Sequence, residues 1–313
     1  AATIPQWVGS LDVVIVAGDD SADPRLTGSV DRALRRGAEV VVAAPAEGPM
    51  RAVAAGRAAL LPPRIPVLDH NRLLRYLAVG LAVLRVIDST HIGPLVPELD
   101  ELAEVLDAEA LRGGPNHEVF HNPAKTLAAR MGERRVVLTG DSPAAAVVAQ
   151  HGADVLLQAA GQIAAAADLT EAVAAHGRLV ESAAVAAPGY DPMFHDEELD
   201  GPAPVDRARI FVISADPDQV AAHRRIAFLD SGSGVVDADL VNVDTDVVRA
   251  EVGGSDEARD TGAGTSRSSR GRGGQLEQLA VLALRLEMAA AYLCLLGGPS
   301  AGTRPAHNDG GHF

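Results

Sequence analysis

The sequence predicts an α/β protein built from two doubly wound, flavodoxin-like domains, each with a parallel sheet flanked by helices. Two observations carry this. A single strand–turn–helix device occurs three times: Val13–Val16 running into Gly18-Asp19-Asp20-Ser21 and Asp23-Pro24, Val136–Thr139 into Gly140-Asp141-Ser142-Pro143, and Ile210–Ser214 into Asp216-Pro217. Each is a short apolar run, a small residue, an Asp, then Pro opening a helix. Short apolar runs bounded by turn residues read as buried parallel strands, and Asp or Ser before Pro is an N-cap followed by a residue with no N–H to satisfy. The second observation is length: 313 residues make about two domains. In such sheets ligands bind outside the carboxyl ends of the strands.

Taken in order, residues 1–113 form the first domain, which is expected to lack its opening strand because Ala1–Ser10 lead straight into Val13. A helix follows Asp23-Pro24 and stops at Gly37, a C-cap residue. Glu39–Ala44 is a strand, Pro49–Ala55 a helix and Ala58–Leu61 a strand. Leu73, Leu74, Leu77, Leu81 and Leu84 recur at helical spacing within 71–86, and Leu99–Leu111 is a second amphipathic helix. Gly113-Gly114-Pro115 reads as the domain boundary.

The second domain, 114–296, opens with a helix capped by Asn122 and started by Pro123. A strand at 136–139 leads to an Ala-rich helix over 142–161, which Gly152 could interrupt. A short strand at 162–169, a short helix at 170–176, a long acidic loop at 188–204, a strand at 210–214, a helix at 218–229 and a last strand at 236–243 follow. The Gly-, Ser- and Arg-rich stretch 253–274 reads as a flexible insert. Gln275–Leu296 is the strongest helix, and 297–313 is a polar tail.

Composition excludes several functions. A net charge of −15 argues against nucleic-acid binding, which needs clustered Lys and Arg. The apolar run 279–296 carries Arg285 and Glu287, so it reads as a buried helix and no membrane association is expected. Cys294, the one cysteine, is expected to be a small core residue, and its solitude fits a reducing cytoplasm. Neither GxxxxGK[ST] nor GxGxxG follows a strand, so no nucleotide cofactor is expected.

The chemistry-bearing residues leave alternatives open. The aspartates of Gly18-Asp19-Asp20-Ser21 and Gly140-Asp141-Ser142 sit where anions meet helix N-termini, either as ligand contacts or as caps of their own helices. His195, followed by Asp196, Glu197 and Glu198, is either a proton shuttle or part of a solvated turn. Glu181, a lone acid in LVESAAV, is either a general base or a surface residue on an edge strand. The loop also leaves a metal-dependent activity open, though one loop supplies no converging ligand set.

Asn122-Pro123-Ala124-Lys125, then TLAARM and a strand ending in Gly140, resembles the second half of the bifunctional phosphoglucose/phosphomannose isomerases, which are tandem sugar isomerase (SIS) domains. FHDEELDG resembles that family's His loop, and LEQLAVLALRLEMAAAYLCLLGG its penultimate helix; the divergent TobH-like actinobacterial branch is the most similar. The resemblance implies a cytoplasmic aldose–ketose isomerase acting on hexose 6-phosphates through an enediol, without cofactor or metal. It implies Glu181 as base, His195 for ring opening, and Gly18, Asp19, Asp20, Ser21, Gly140, Asp141 and Ser142 around the substrate. It also implies a homodimer. The family's C-terminal catalytic Lys has no counterpart, since Lys125 is the only lysine and Arg304 the one cation available in the tail. The other reading is a phosphosugar-binding or regulatory module whose catalysis is impaired.

Overall fold

A computed structural model describes residues 4–132, 134–183, 193, 207–216, 219–230, 234–252 and 267–297. The chain forms two compact units, Ala1–Val105 with Ser255–Ala280, and Leu106–Gly254 with Val281–Phe313, so that Gly113-Gly114-Pro115 lies inside the second.

The first unit alternates β1 (Val13–Ala17), α1 (Pro24–Arg35), β2 (Glu39–Ala43), α2 (Gly48–Ala54) and β3 (Ala59–Leu60), followed by α3 (Leu73–Ile87) and the start of α4 (Leu99–Arg112). Its strands pair in parallel in the order β1-β2-β3. Parallel neighbours need a crossover, and α1 and α2 supply it. Asp23 caps α1 as its sequence requires, accepting from the Arg25 N–H at 2.7 Å. The core joins Val16, Val40 and Val42 to Val30, Ala33 and Leu34 of α1 and Met50 of α2. β1 departs from expectation: Val16 is buried, but Val13 and Ile15 are 40% and 38% exposed. It is an edge strand with a covered and an uncovered face, not a strand buried on both.

The second unit contains α5 (Pro123–Met131), β4 (Arg135–Gly140), α6 (Pro143–Ala160), β5 (Ala164–Asp168), α7 (Leu169–Ala183), β6 (Ala208–Ile213), α8 (Gln219–Leu229), β7 (Val236–Val241), α9 (Thr245–Val252) and the later part of α10 (Arg267–Gly297). All four strands are parallel, in the order β5-β4-β6-β7. Strand order therefore reverses between β4 and β6, which is the signature of a doubly wound sheet. Asn122 caps α5, accepting from the Lys125 N–H at 2.9 Å while its own amide donates to Gly114 O at 2.9 Å.

Several expectations are corrected. α6 runs unbroken through Gly152, because that glycine serves packing: a Cβ there would come within 2.7 Å of Leu138 Cδ1 and 3.0 Å of Leu286 Cδ1. α7 extends to Ala183, so Glu181 lies on a helix and not on a strand. α9 was absent from the sequence reading, and α10 begins at Arg267, inside the stretch expected to be flexible. Cys294 is exposed, not a core residue: the last turns of α10 bury Leu293 but turn Cys294, Leu295 and Leu296 outward. Apart from Met193, the acidic loop lies outside the described residues, as does the tail beyond Gly297.

By length and composition Gly274–Gly297 could cross a membrane, but over half of its apolar window is buried in the fold. Within the second unit its polar groups have specific partners. Arg285 Nε donates to Glu109 Oε1 at 2.6 Å, His151 Nε2 lies 2.8 Å from Glu287 Oε1, and the Tyr292 hydroxyl donates to Gly113 O at 2.7 Å.

Candidate functional site

The strand order reverses between β4 and β6, and in doubly wound sheets ligands bind at the carboxyl ends of the strands beside such a reversal. β4 reads RVVLTG, and its last residue must be glycine: a Cβ on Gly140 would meet Ala146 N at 2.1 Å and the Ala145 carbonyl carbon at 2.3 Å. The first turn of α6 therefore rests directly on the strand end. Ser142 caps that turn, its Oγ accepting from the Ala145 N–H at 3.3 Å, with Pro143 next. Between them Asp141 is fixed by its backbone, whose N–H donates to Ile213 O at 3.2 Å; its carboxylate has no partner among the described residues.

β6 ends beside it. The buried Ser214 donates its N–H to Val241 O at 3.2 Å, and its Oγ accepts the Asp216 N–H at 3.2 Å. Thr139, one residue before Gly140, is fully buried, and its hydroxyl has no hydrogen-bond partner among the described residues. Native structures rarely leave a buried hydroxyl unsatisfied. Thr139 and Ser214 are residues that the sequence reading did not select. The signal for both was their place as the last hydroxyl residue on a strand flanking the reversal, and which strands flank it is a property of the sheet.

Gly140, Asp141 and Ser142 are thus brought together with Ser214. Glu181 is not. α7 starts at the carboxyl end of the sheet, directly after Asp168, which pairs with Gly140, and runs back toward the amino end. Near its end, Ser182 Oγ accepts from Arg135 Nη1 at 3.1 Å, and Arg135 is the first residue of β4. Five residues of strand, about 16 Å at ~3.3 Å per residue, separate the level of Arg135 from that of Gly140. Glu181 is 67% exposed and pairs with Arg178 at 2.8 Å. A cleft of about 530 Å³ lies along this part of α7, lined among the described residues by Ala175, Arg178, Leu179, Glu181 and Ser182. His195 lies outside the described residues.

The corresponding loop of the first unit is closed on itself. Asp19 forms ion pairs with Arg72 and Arg75 and accepts from the Tyr76 hydroxyl at 3.1 Å. Asp20 accepts the Ala22 N–H at 2.8 Å, and the Ser21 carbonyl accepts the Met50 N–H at 3.2 Å. A Cβ on Gly18 would press on Leu26 Cδ1 at 2.3 Å. Lys125 is a structural cation: its Nζ donates to Pro115 O and His117 O, both at 2.7 Å, and lies over the Tyr292 ring. Among the described residues no group of three or more His, Cys, Asp or Glu could hold a metal ion.

No family model matches the sequence, and no curated protein does. Solved structures do. Tagatose-6-phosphate ketose/aldose isomerase from Escherichia coli is 14% identical, with a TM-score of 0.54 over 93% of this chain and 70% of its own. A provisionally assigned phosphosugar isomerase from Salmonella typhimurium LT2 is 15% identical, with a TM-score of 0.53 over 92% of this chain and 75% of its own. A similarly assigned protein from Bacillus subtilis is 15% identical, with a TM-score of 0.53 over 93% of this chain and 75% of its own. At such identities the likeness establishes the fold: an α/β architecture of parallel sheets flanked by helices, shared with phosphosugar-isomerase structures.

Proposed function

We propose that the chain binds a sugar phosphate at the carboxyl ends of β4 and β6. The observation that carries this is the strand reversal between them, where Gly140-Asp141-Ser142 and Ser214 converge on a sheet of phosphosugar-isomerase type. Hydroxyls and backbone N–H groups suit a phosphate or a sugar. The resemblance to phosphoglucose/phosphomannose isomerases supports hexose 6-phosphates as the ligand class and a homodimer as the assembly.

The chemistry consistent with that class is aldose–ketose isomerisation, in which a carboxylate moves a proton between adjacent carbons and a His opens the ring. Asp141, unpartnered among the described residues, is a carboxylate at the right end of the sheet. Glu181 would have to act at the other end, where Arg178 holds it. That separation favours the second reading, a phosphosugar-binding module without turnover. The test is a coupled assay of mannose 6-phosphate and fructose 6-phosphate interconversion, with melting temperature followed in parallel. The binding reading expects both sugar phosphates to raise the melting temperature and Ser142→Ala with Thr139→Val to abolish the rise. Turnover lost in Glu181→Gln would restore Glu181 as base; turnover lost only in Asp141→Asn would assign the base there. Stabilisation without turnover would identify the module, and no stabilisation would refute the site.

A further inference from the structure

The first unit carries a second cluster that plays no part in the proposed sugar-phosphate site. Arg72 and Arg75, at the start of α3, and the Tyr76 hydroxyl all converge on the carboxylate of Asp19, just past the carboxyl end of β1. The side chains are neither surface-mobile nor sealed: Asp19 is 24% exposed, Arg72 30% and Arg75 20%. Burial is the largest single influence on Arg75 and works against its charge, but the hydrogen bonds and charge interactions with Asp19 and Tyr76 together outweigh it, and its pKa stands above the usual guanidinium value. Burial likewise raises the Tyr76 phenol, so its proton stays available for donation.

The cluster holds two guanidiniums, Arg72 and Arg75, against the carboxylates of Asp19 and Asp69, and only Asp19 pairs with both cations. The remaining anion, Asp69, pairs with Arg72 from a side chain 80% exposed, where water screens it. Arg75 and Tyr76 donate hydrogen bonds to Asp19 while Arg72 stands at ion-pair distance from it; two guanidiniums and a phenol around one carboxylate are groups that suit a phosphoryl group, which offers three oxygens and up to two charges. The equivalent aspartate of the second unit, Asp141, has no such cations among the described residues, so the arrangement is not imposed by the strand–turn–helix device.

We propose that Arg72, Arg75 and Tyr76 form an anion site for a phosphate monoester, which Asp19 occupies as a displaceable internal anion. A site whose competent state is populated one time in ten binds about tenfold more weakly than the open site. Removing the carboxylate therefore strengthens anion binding. This does not depend on the sugar-phosphate reading of the second unit.

The experiment is titration of the full chain with inorganic phosphate, against chloride at matched ionic strength, in wild type, Asp19→Asn, Asp19→Ser and Asp19→Asn with Arg75→Gln. Expected is phosphate binding about tenfold tighter in either single variant than in wild type, and loss of that gain when Arg75→Gln is added. Binding at the second unit is common to all four proteins and cancels in the comparison. An unchanged affinity, a gain reproduced by chloride, or a gain that survives Arg75→Gln overturns the proposal. If neither Asp19 variant folds even in phosphate, the carboxylate is structural and the proposal fails as well.

Discussion

At the scale of single residues, glycine shows why the same amino acid has different consequences. Gly140 carries the close approach of α6 to β4, with backbone atoms at 2.1 and 2.3 Å from a Cβ it does not have. Backbone cannot swing aside as a leucine tip can. Gly140→Ala is expected to destabilise the second unit by about 3 kcal/mol through overpacking, read as a lower urea midpoint. Gly177, exposed within α7, has open space for 4 Å around the point where a Cβ would stand. Gly177→Ala is expected to raise stability by about 0.5–1 kcal/mol, the helix-interior difference between the two residues. Equal effects at the two sites would contradict this account. Asp, Asn and Ser behave as their caps require: Asp23, Asn122 and Ser142 each precede a proline and accept a backbone N–H of the first turn.

At the scale of elements, α10 explains how a very apolar helix carries charge. Arg285 faces Glu109, whose side chain is 1% exposed and also pairs with Arg112 at 3.1 Å. Removing one member of a buried pair leaves a desolvated charge, whereas removing both can be nearly neutral. Arg285→Met is expected to cost about 3 kcal/mol in chemical denaturation, and Glu109→Leu combined with it to recover most of the loss. A double variant as unstable as the single one would mean that packing, not charge, holds this contact. A second lock fixes the edge of the sheet: Arg209 of β6 is in register with Asp237 of β7 and pairs with it at 3.2 Å and with Asp239 at 3.3 Å. Opposite charges facing across a strand pair disfavour slippage.

At the scale of the molecule, charge sets behaviour in solution. The net charge of −15 at pH 7 falls to zero near pH 5.0, where self-repulsion vanishes. The carboxyls of Asp23 and Asp88 are held below their usual 3.8 chiefly by backbone N–H groups of Arg25 and His91. A depressed carboxyl contributes stability above its unfolded value and loses it only as pH falls through the lower folded value. The Asp23 cap and the Asp88 turn therefore persist at pH 5 and fail below about 4. Light scattering is expected to rise near pH 5 while the circular dichroism stays native, and helical signal to fall only in stronger acid. Loss of helix already at pH 5 would show that other carboxyls govern the fold.

The sequence by itself determined the strand–turn–helix units, their caps and the parallel α/β class. These rest on local rules: apolar runs, an oxygen acceptor before proline, and glycine where a helix meets a strand. Helix ends were less legible, since α7 runs on to Ala183 through residues with no stop signal, carrying Glu181 with it. What only the tertiary structure decided was strand order and side-chain pairing. The order β5-β4-β6-β7 puts Gly140 and Ser214 side by side at the strand reversal and Glu181 at the opposite end of the sheet, although Glu181 is nearer than Gly140 to Ser214 in sequence. Likewise the Asp19 and Asp141 loops look alike as text, yet one is filled by arginines from 53 and 56 positions further along the chain and the other, among the described residues, is not. Long-range pairing depends on where the sheet brings helices to rest, and no local pattern encodes that.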